Sequence, residues 1–166
     1  MNHTKIPDSL KLAKFFALEI LEQYNITKPP VDITKILNDL GLNLEEMEFP
    51  ESVDNISGML DIENKTIFIN KNDADTRKAF TVAHELGHYV MHQQELAQND
   101  SYAIVYRKEN KNRDIIERQA DQFAAHLLAP KFLLDNFVAD FSAPQLAKLF
   151  GVSPQMMEFR LTNEYQ

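Results

Sequence analysis

Apolar residues recur at helical spacing from the start of the chain. Over residues 8–24, Leu10, Ala13, Phe16 or Ala17, Ile20 and Leu21 follow a cap at Asp8 or Ser9, which predicts an amphipathic helix. Lys28-Pro29-Pro30 interrupts the pattern, and Asp32 to Leu40 carries Ile33, Ile36, Leu37 and Leu40 on one side before Gly41 supplies a stop. The period then changes. Three short β-rich runs, 42–49, 56–62 and 66–70, predict a small antiparallel sheet, with Asn64-Lys65 as a hairpin turn. Ser57-Gly58 lacks side-chain bulk at one position, which suits a bulge or the close approach of another backbone.

From Asp73 or Asp75 to about His92 the apolar positions fall all round the helix: Phe80, Ala83, Gly87, Val90 and Met91 on one side, Ala79, Val82, Leu86 and Tyr89 on the other. A helix of that kind is expected to lie centrally. Residues 93–113 are polar around Tyr102-Ala103-Ile104-Val105-Tyr106 and read as a loop with one short strand; a further helix is expected over about 112–129, ending at Pro130. Two or three short helices fill the last 36 residues, and no internal repeat is present.

Composition narrows the options. The 166 residues suit one domain with a small helical appendage, and seventeen Lys and Arg against twenty-five Asp and Glu give a net charge of −8. Such an acidic chain lacks the basic footprint that non-specific phosphate binding requires. With no cysteine, any metal must be held by His, Asp or Glu. The run Phe15-Phe16-Ala17-Leu18 stops at Glu19 without a cleavage site, and no apolar stretch could span a bilayer, so a cytoplasmic chain without membrane contact is expected.

The chemistry concentrates in His84-Glu85-Leu86-Gly87-His88. Two residues four apart on a helix lie ~40° apart and one turn along the axis, so both imidazoles reach one cation, while Glu85 falls beside them as a base rather than a ligand. Burying this polar trio on an otherwise apolar helix is costly unless coordination satisfies it. Tetrahedral zinc holding a water still needs one more protein ligand. Met91 and Gln94 stand where a metzincin has Gly and His, which excludes that extension. Downstream, Glu117-Arg118-Gln119-Ala120-Asp121 is the one Glu-x-x-x-Asp; Glu117 would complete the ligands to one Zn²⁺, and Asp121 would fix the tautomer of a ligating histidine. His92 extends the stripe but lies ~12 Å along the axis from His84, too far to share its ion, and reads as a partly exposed histidine. His126 projects from the far side of its helix. Tyr102, Tyr106, Arg107 and Arg113 are candidate donors to a developing oxyanion.

The runs Phe80-Thr81-Val82-Ala83-His84-Glu85-Leu86-Gly87-His88-Tyr89, Glu117 through Ala125, and Leu127-Leu128-Ala129-Pro130 resemble the ImmA/IrrE family of metallo-endopeptidases, as do Pro30-Val31-Asp32-Ile33 and Ser57-Gly58 upstream. The resemblance covers about residues 30–130. It implies a gluzincin-like fold with His84, His88 and Glu117 as ligands and Glu85 as catalytic base. It also implies a substrate class, cytosolic helix-turn-helix transcriptional repressors of mobile elements or stress regulons.

The expected architecture is therefore α+β: a mainly helical zincin-like domain over 1–130 with a small three-stranded antiparallel sheet, and a helix-turn-helix-like segment over 131–166 packed on it. Substrate would add as a strand along the sheet edge at Ser57, Gly58 and Met59. From Ser142 to Gln166, Lys148 and Arg160 are balanced by Glu158 and Glu164, so the tail is expected to pack or to contact protein, not nucleic acid. The competing reading is an anti-repressor that sequesters its partner without cleaving it, the metal serving as a staple; a DNA-binding regulator using the tail ranks third.

Overall fold

The structure, a computed structural model, describes residues 9–50, 56–97 and 111–165. Its elements run α1 (Ser9–Gln23), α2 (Ile33–Leu40), β1 (Asn43–Met47), β2 (Gly58–Asp61), β3 (Thr66–Asn70), α3 (Asp75–Met91), α4 (Gln93–Ala97), α5 (Lys111–Leu128), α6 (Lys131–Leu134), α7 (Ala143–Phe150) and α8 (Pro154–Tyr165). This is the α+β class expected. No helix among the described residues is long and apolar enough to cross a membrane.

Local chemistry sets the boundaries that the apolar pattern announced. Asp32 caps α2 by accepting the Lys35 N–H at 3.1 Å, and Gly41 ends it at φ +69°, a conformation costly for residues with a Cβ. Asp61 accepts the Asn64 N–H at 2.9 Å in the β2–β3 hairpin. Where a polar loop was expected from Gln93, the chain instead forms the short helix α4. Its Leu96 packs against the core and donates its N–H to the His92 carbonyl. The Tyr102–Tyr106 stretch lies outside the described residues.

The sheet corrects one expectation. Its order is β1-β3-β2, and only β2 pairs antiparallel to β3; β1 runs parallel to β3, with Asn43 opposite Thr66 and Met47 opposite Asn70. The sheet is mixed. β2 lies on the far side of β3 from β1, and its hairpin with β3 turns the chain back, so β1 and β3 share a direction. Four of the five β1 residues are exposed, so no buried alternation specified its pairing in advance.

The helix α3 sits between the sheet and α5, and α1 packs along α5 and touches α3. Val82, Ala83 and Leu86 of α3, Ile67 and Ile69 of β3, Phe123 and Leu127 of α5 and Ala13 and Ala17 of α1 share one core. At Gly87 the two central helices meet closely. A methyl group there would lie 2.9 Å from the Cδ1 of the fully buried Phe123. The missing side chain lets α3 and α5 approach.

The core also takes in Leu146 and Phe150 of α7 and Met157 of α8. Arg160, 1% exposed, turns inward: its Nε and Nη2 donate to the Ala129 carbonyl at 3.1 and 3.0 Å, just beyond α5, and its Nη1 donates to Glu164 at 2.9 Å. A cation at a helix C-terminus satisfies otherwise orphaned carbonyl groups. His126 lies 3.7 Å from Glu164, yet burial and the Arg160 charge push its pKa down to about 4, so it is a neutral neighbour of that carboxylate at pH 7.

Two outcomes follow from this packing. In an open helix Gly→Ala gains about 1 kcal/mol of propensity. At Gly87 the collision with Phe123 is worth about 1–3 kcal/mol in the other direction, so Gly87→Ala lowers the urea midpoint. His126 contributes stability in full above its unfolded pKa of about 6.5 and loses it as the pH falls from there to about 4, because the unfolded chain accepts a proton that the folded one refuses. Thermal melts across that window show a shallower acid decline for His126→Gln than for the wild type.

Candidate metal centre

One turn of α3 brings His84 and His88 onto the face that meets α5, with ring centroids 4.7 Å apart. From α5, Glu117 reaches both: its Oε2 lies 3.2 Å from His84 Nε2 and its Oε1 3.4 Å from His88 Nε2. The two Nε2 atoms are themselves 3.0 Å apart. One turn further on, Asp121 Oδ1 lies 2.8 Å from His84 Nδ1. The three residues expected as ligands and the residue expected behind one of them thus meet at one point between two helices.

The electrostatics say what such a cluster holds. A carboxylate only accepts, so the 2.8 Å contact with Asp121 holds a His84 hydrogen on Nδ1; in the neutral ring Nε2 then has the lone pair, and it faces two more lone-pair groups. Burial works against charging His84, but the hydrogen bonds to Asp121 and Glu117 outweigh it and push its pKa up to about 10. Burial likewise opposes ionisation of Glu117, and the contacts with His84 and His88 outweigh it, holding that carboxyl far below the usual range. Both shifts have one origin: the pocket among these atoms demands positive charge. The donor separations of 3.0, 3.2 and 3.4 Å also match the ~3.3 Å tetrahedral edge that ligand bonds of about 2.0–2.1 Å produce. A metal ion fits this set of two nitrogens and one carboxylate.

Glu85 lies on the sheet side of α3. The charges of His84, His88 and Glu117 act on its carboxyl, and burial, the dominant influence, raises its pKa. The raised value suits a group that must take up and release a proton. Gly58, at the start of β2, faces the same part of α3. A Cβ there would run into the Thr81 side chain and lie 3.0 Å from the Phe68 carbonyl and 3.6 Å from Glu85 Cγ. The nearest neighbour at Gly58 is thus a side chain of the helix that carries the histidines, with the backbone approach that was expected supplied by the Phe68 carbonyl of β3. Ser57 is otherwise engaged: its hydroxyl accepts from Arg77 Nε at 2.8 Å and its carbonyl from the Asn70 N–H. Met59 is half-buried opposite Phe68.

Among the oxyanion candidates, Tyr102, Tyr106 and Arg107 lie outside the described residues, and Arg113 falls in α5 with its side chain outside them. The cluster at Glu164 accounts for His126, away from the three donors. His92 departs from expectation. It is 3% exposed, not partly open, and its Nδ1 lies 3.1 Å from His88 Nδ1, while its Nε2 lies 2.9 Å from the Oε1 of buried Gln119. The signal was present, since His92 is four residues from His88 on the same stripe. The sequence argument asked only whether it could share an ion with His84, not whether it could reach the His88 ring.

A profile of the Peptidase_M78 family, described as the IrrE N-terminal-like domain, matches residues 38–162. The chain is 28% identical over 138 residues to the radiation response metalloprotease IrrE of Deinococcus deserti, covering 81% of this chain and 46% of that protein. It is also 28% identical over 97 residues to the metallopeptidase ImmA of Bacillus subtilis, covering 57% of this chain and 54% of the relative. The chain spans about half the length of these curated relatives. A solved structure described as a Mycobacterium tuberculosis transcriptional regulator superposes with a TM-score of 0.64 over 97% of this chain and 48% of its own, at 17% identity, a likeness of fold.

Because His84 keeps a proton up to about pH 10 until a cation replaces it, metal uptake at neutral pH releases that proton. Zinc affinity measured by chelator competition rises up to about tenfold per pH unit between pH 6 and 9, one proton's worth of linkage. Titration calorimetry in buffers of different ionisation enthalpy counts the same proton.

Proposed function

We propose that this chain, which belongs to the Peptidase_M78 family of IrrE N-terminal-like domains, is a zinc-dependent endopeptidase whose ligands are His84, His88 and Glu117 and whose base is Glu85. The observation that carries the reading is the convergence of three lone-pair donors from two helices within 4.8 Å of one another. Zinc is favoured over harder cations because two of the three are imidazoles. The names of the relatives, a metalloprotease and a metallopeptidase, agree with this activity.

When bound, zinc supplies Lewis-acid chemistry, acidifying the hydrolytic water and polarising the scissile carbonyl. The remaining work belongs to the chain. Glu85, with its raised pKa, takes the proton as water attacks and later delivers it to the leaving amine nitrogen. Asp121 keeps the hydrogen of His84 on Nδ1, so Nε2 stays available. The substrate lies as an added strand along β2 at Ser57, Gly58 and Met59. In support, β2 ends the sheet order, and Gly58 brings its first residue down beside Glu85. The proposed substrate is a cytosolic helix-turn-helix repressor, following the family resemblance. The tail serves as packing or a protein contact; the inward turn of Arg160, one of the two cations between Ser142 and Gln166, supports that over DNA binding.

Glu85→Gln removes the base and leaves every proposed ligand. The variant should bind zinc as tightly as the wild type and leave a co-expressed repressor intact when the fragments are analysed by mass spectrometry. Cleavage at the wild-type rate overturns the mechanism. Relief of repression by Glu85→Gln without any cleavage overturns proteolysis in favour of sequestration.

A further inference from the structure

We propose that His92 and Gln119 are a positioning pair that sets, from behind, which nitrogen of His88 is free to bind the metal. The inference rests on the metal reading of the three donors and adds residues that the reading does not use.

The argument begins at the far end of the chain of contacts. The Gln119 amide oxygen only accepts, and it stands 2.9 Å from His92 Nε2, so the His92 hydrogen resides there. A neutral imidazole has one N–H, which leaves His92 Nδ1 bare. That atom faces His88 Nδ1 at 3.1 Å, so His88 is the donor and carries its hydrogen on Nδ1. His88 Nε2 is thereby left with its lone pair, directed at His84 Nε2 at 3.0 Å and Glu117 Oε1 at 3.4 Å. From two contacts away, an amide oxygen settles the tautomer of a proposed ligand. Asp121 performs the same task for His84 in one step.

The two arms differ for a physical reason. Asp121 has a side chain 54% exposed, where water shares the burden of its charge. His92 and Gln119 are 3% and 8% exposed. A carboxylate on that side would bring a poorly hydrated charge into the core, whereas a neutral imidazole and amide relay the same hydrogen-bond direction without one. The fold gives His92 its place: it closes α3, donating its backbone N–H to the His88 carbonyl at 2.9 Å, and α4 begins at the next residue.

The test compares the wild-type chain with Gln119→Leu and Gln119→Glu, using zinc alone as probe in competition with a fluorescent chelator. Without its acceptor, His92 can place its hydrogen on Nδ1, which forces the His88 hydrogen onto Nε2. Zinc binding by Gln119→Leu should therefore weaken by about 10–100-fold, and Gln119→Glu, which keeps an acceptor oxygen at the cost of a buried charge, should melt lower than the wild type but bind zinc more tightly than Gln119→Leu. Equal affinity in all three, or a lower melting temperature for Gln119→Leu with unchanged affinity, overturns the proposal. The imidazole nitrogen-15 spectrum of the wild type decides independently of how the variants fold: hydrogen on His92 Nε2 with bare Nδ1 supports the pair, and hydrogen on Nδ1 overturns it. If the wild type binds no zinc, the metal reading falls, and this spectrum still judges the relay.

Discussion

Groups that bear lone pairs do not sit 3 Å apart without something positive between them. Around that constraint this molecule is arranged: His84 and His88 from α3 and Glu117 from α5 face one another across 3.0 to 3.4 Å. Each half of the arrangement has its own support. The helix step of four residues aligns the imidazoles, and the helix-to-helix approach at Gly87 and Phe123 decides whether the carboxylate can meet them. The pull on a proton at His84 and the ease of ionising Glu117 are two views of the same local field.

Much of the remaining structure keeps those two helices where they are. The sheet covers the other side of α3, and Gly58 allows β2 to lie against Thr81 and Glu85, so the edge of the sheet and the Glu85 carboxyl share one wall. At the opposite end of α5, Arg160 ties the tail to the Ala129 carbonyl. The tail was legible as helix, turn and helix: Gly151 stands at φ +70°, and Ser153 accepts the Met156 N–H at 3.2 Å. Its charge count treated Arg160 as a surface residue, whereas the fold consumes that charge inside.

The parts of the site that could be read in advance depend on spacing within a single helix. His84, Glu85 and His88 were fixed by periodicity, and Glu117 with Asp121 by a second four-residue step, because α-helical geometry converts sequence separation directly into angle and rise. His92 was misjudged because its role is not a matter of reach to the ion. Its partner Gln119 lies 27 residues away on another helix. An amide carries no signature in sequence that separates a buried relay from a solvated side chain.

By itself, the sequence determined the long helices, the strands of the hairpin, the stop at Gly41 and the glycine turn at Gly151, and the chemistry available at the centre. These follow from local periodicity and backbone preference, which act within a few residues. Tertiary structure alone decided that β1 runs parallel to β3, since an exposed strand has no buried face to fix its partner. It alone decided how closely α3 and α5 approach and which nitrogen of each histidine is left bare. Those outcomes depend on contacts between residues far apart in the chain, and hydrogen-bond direction exists only once both partners are in place.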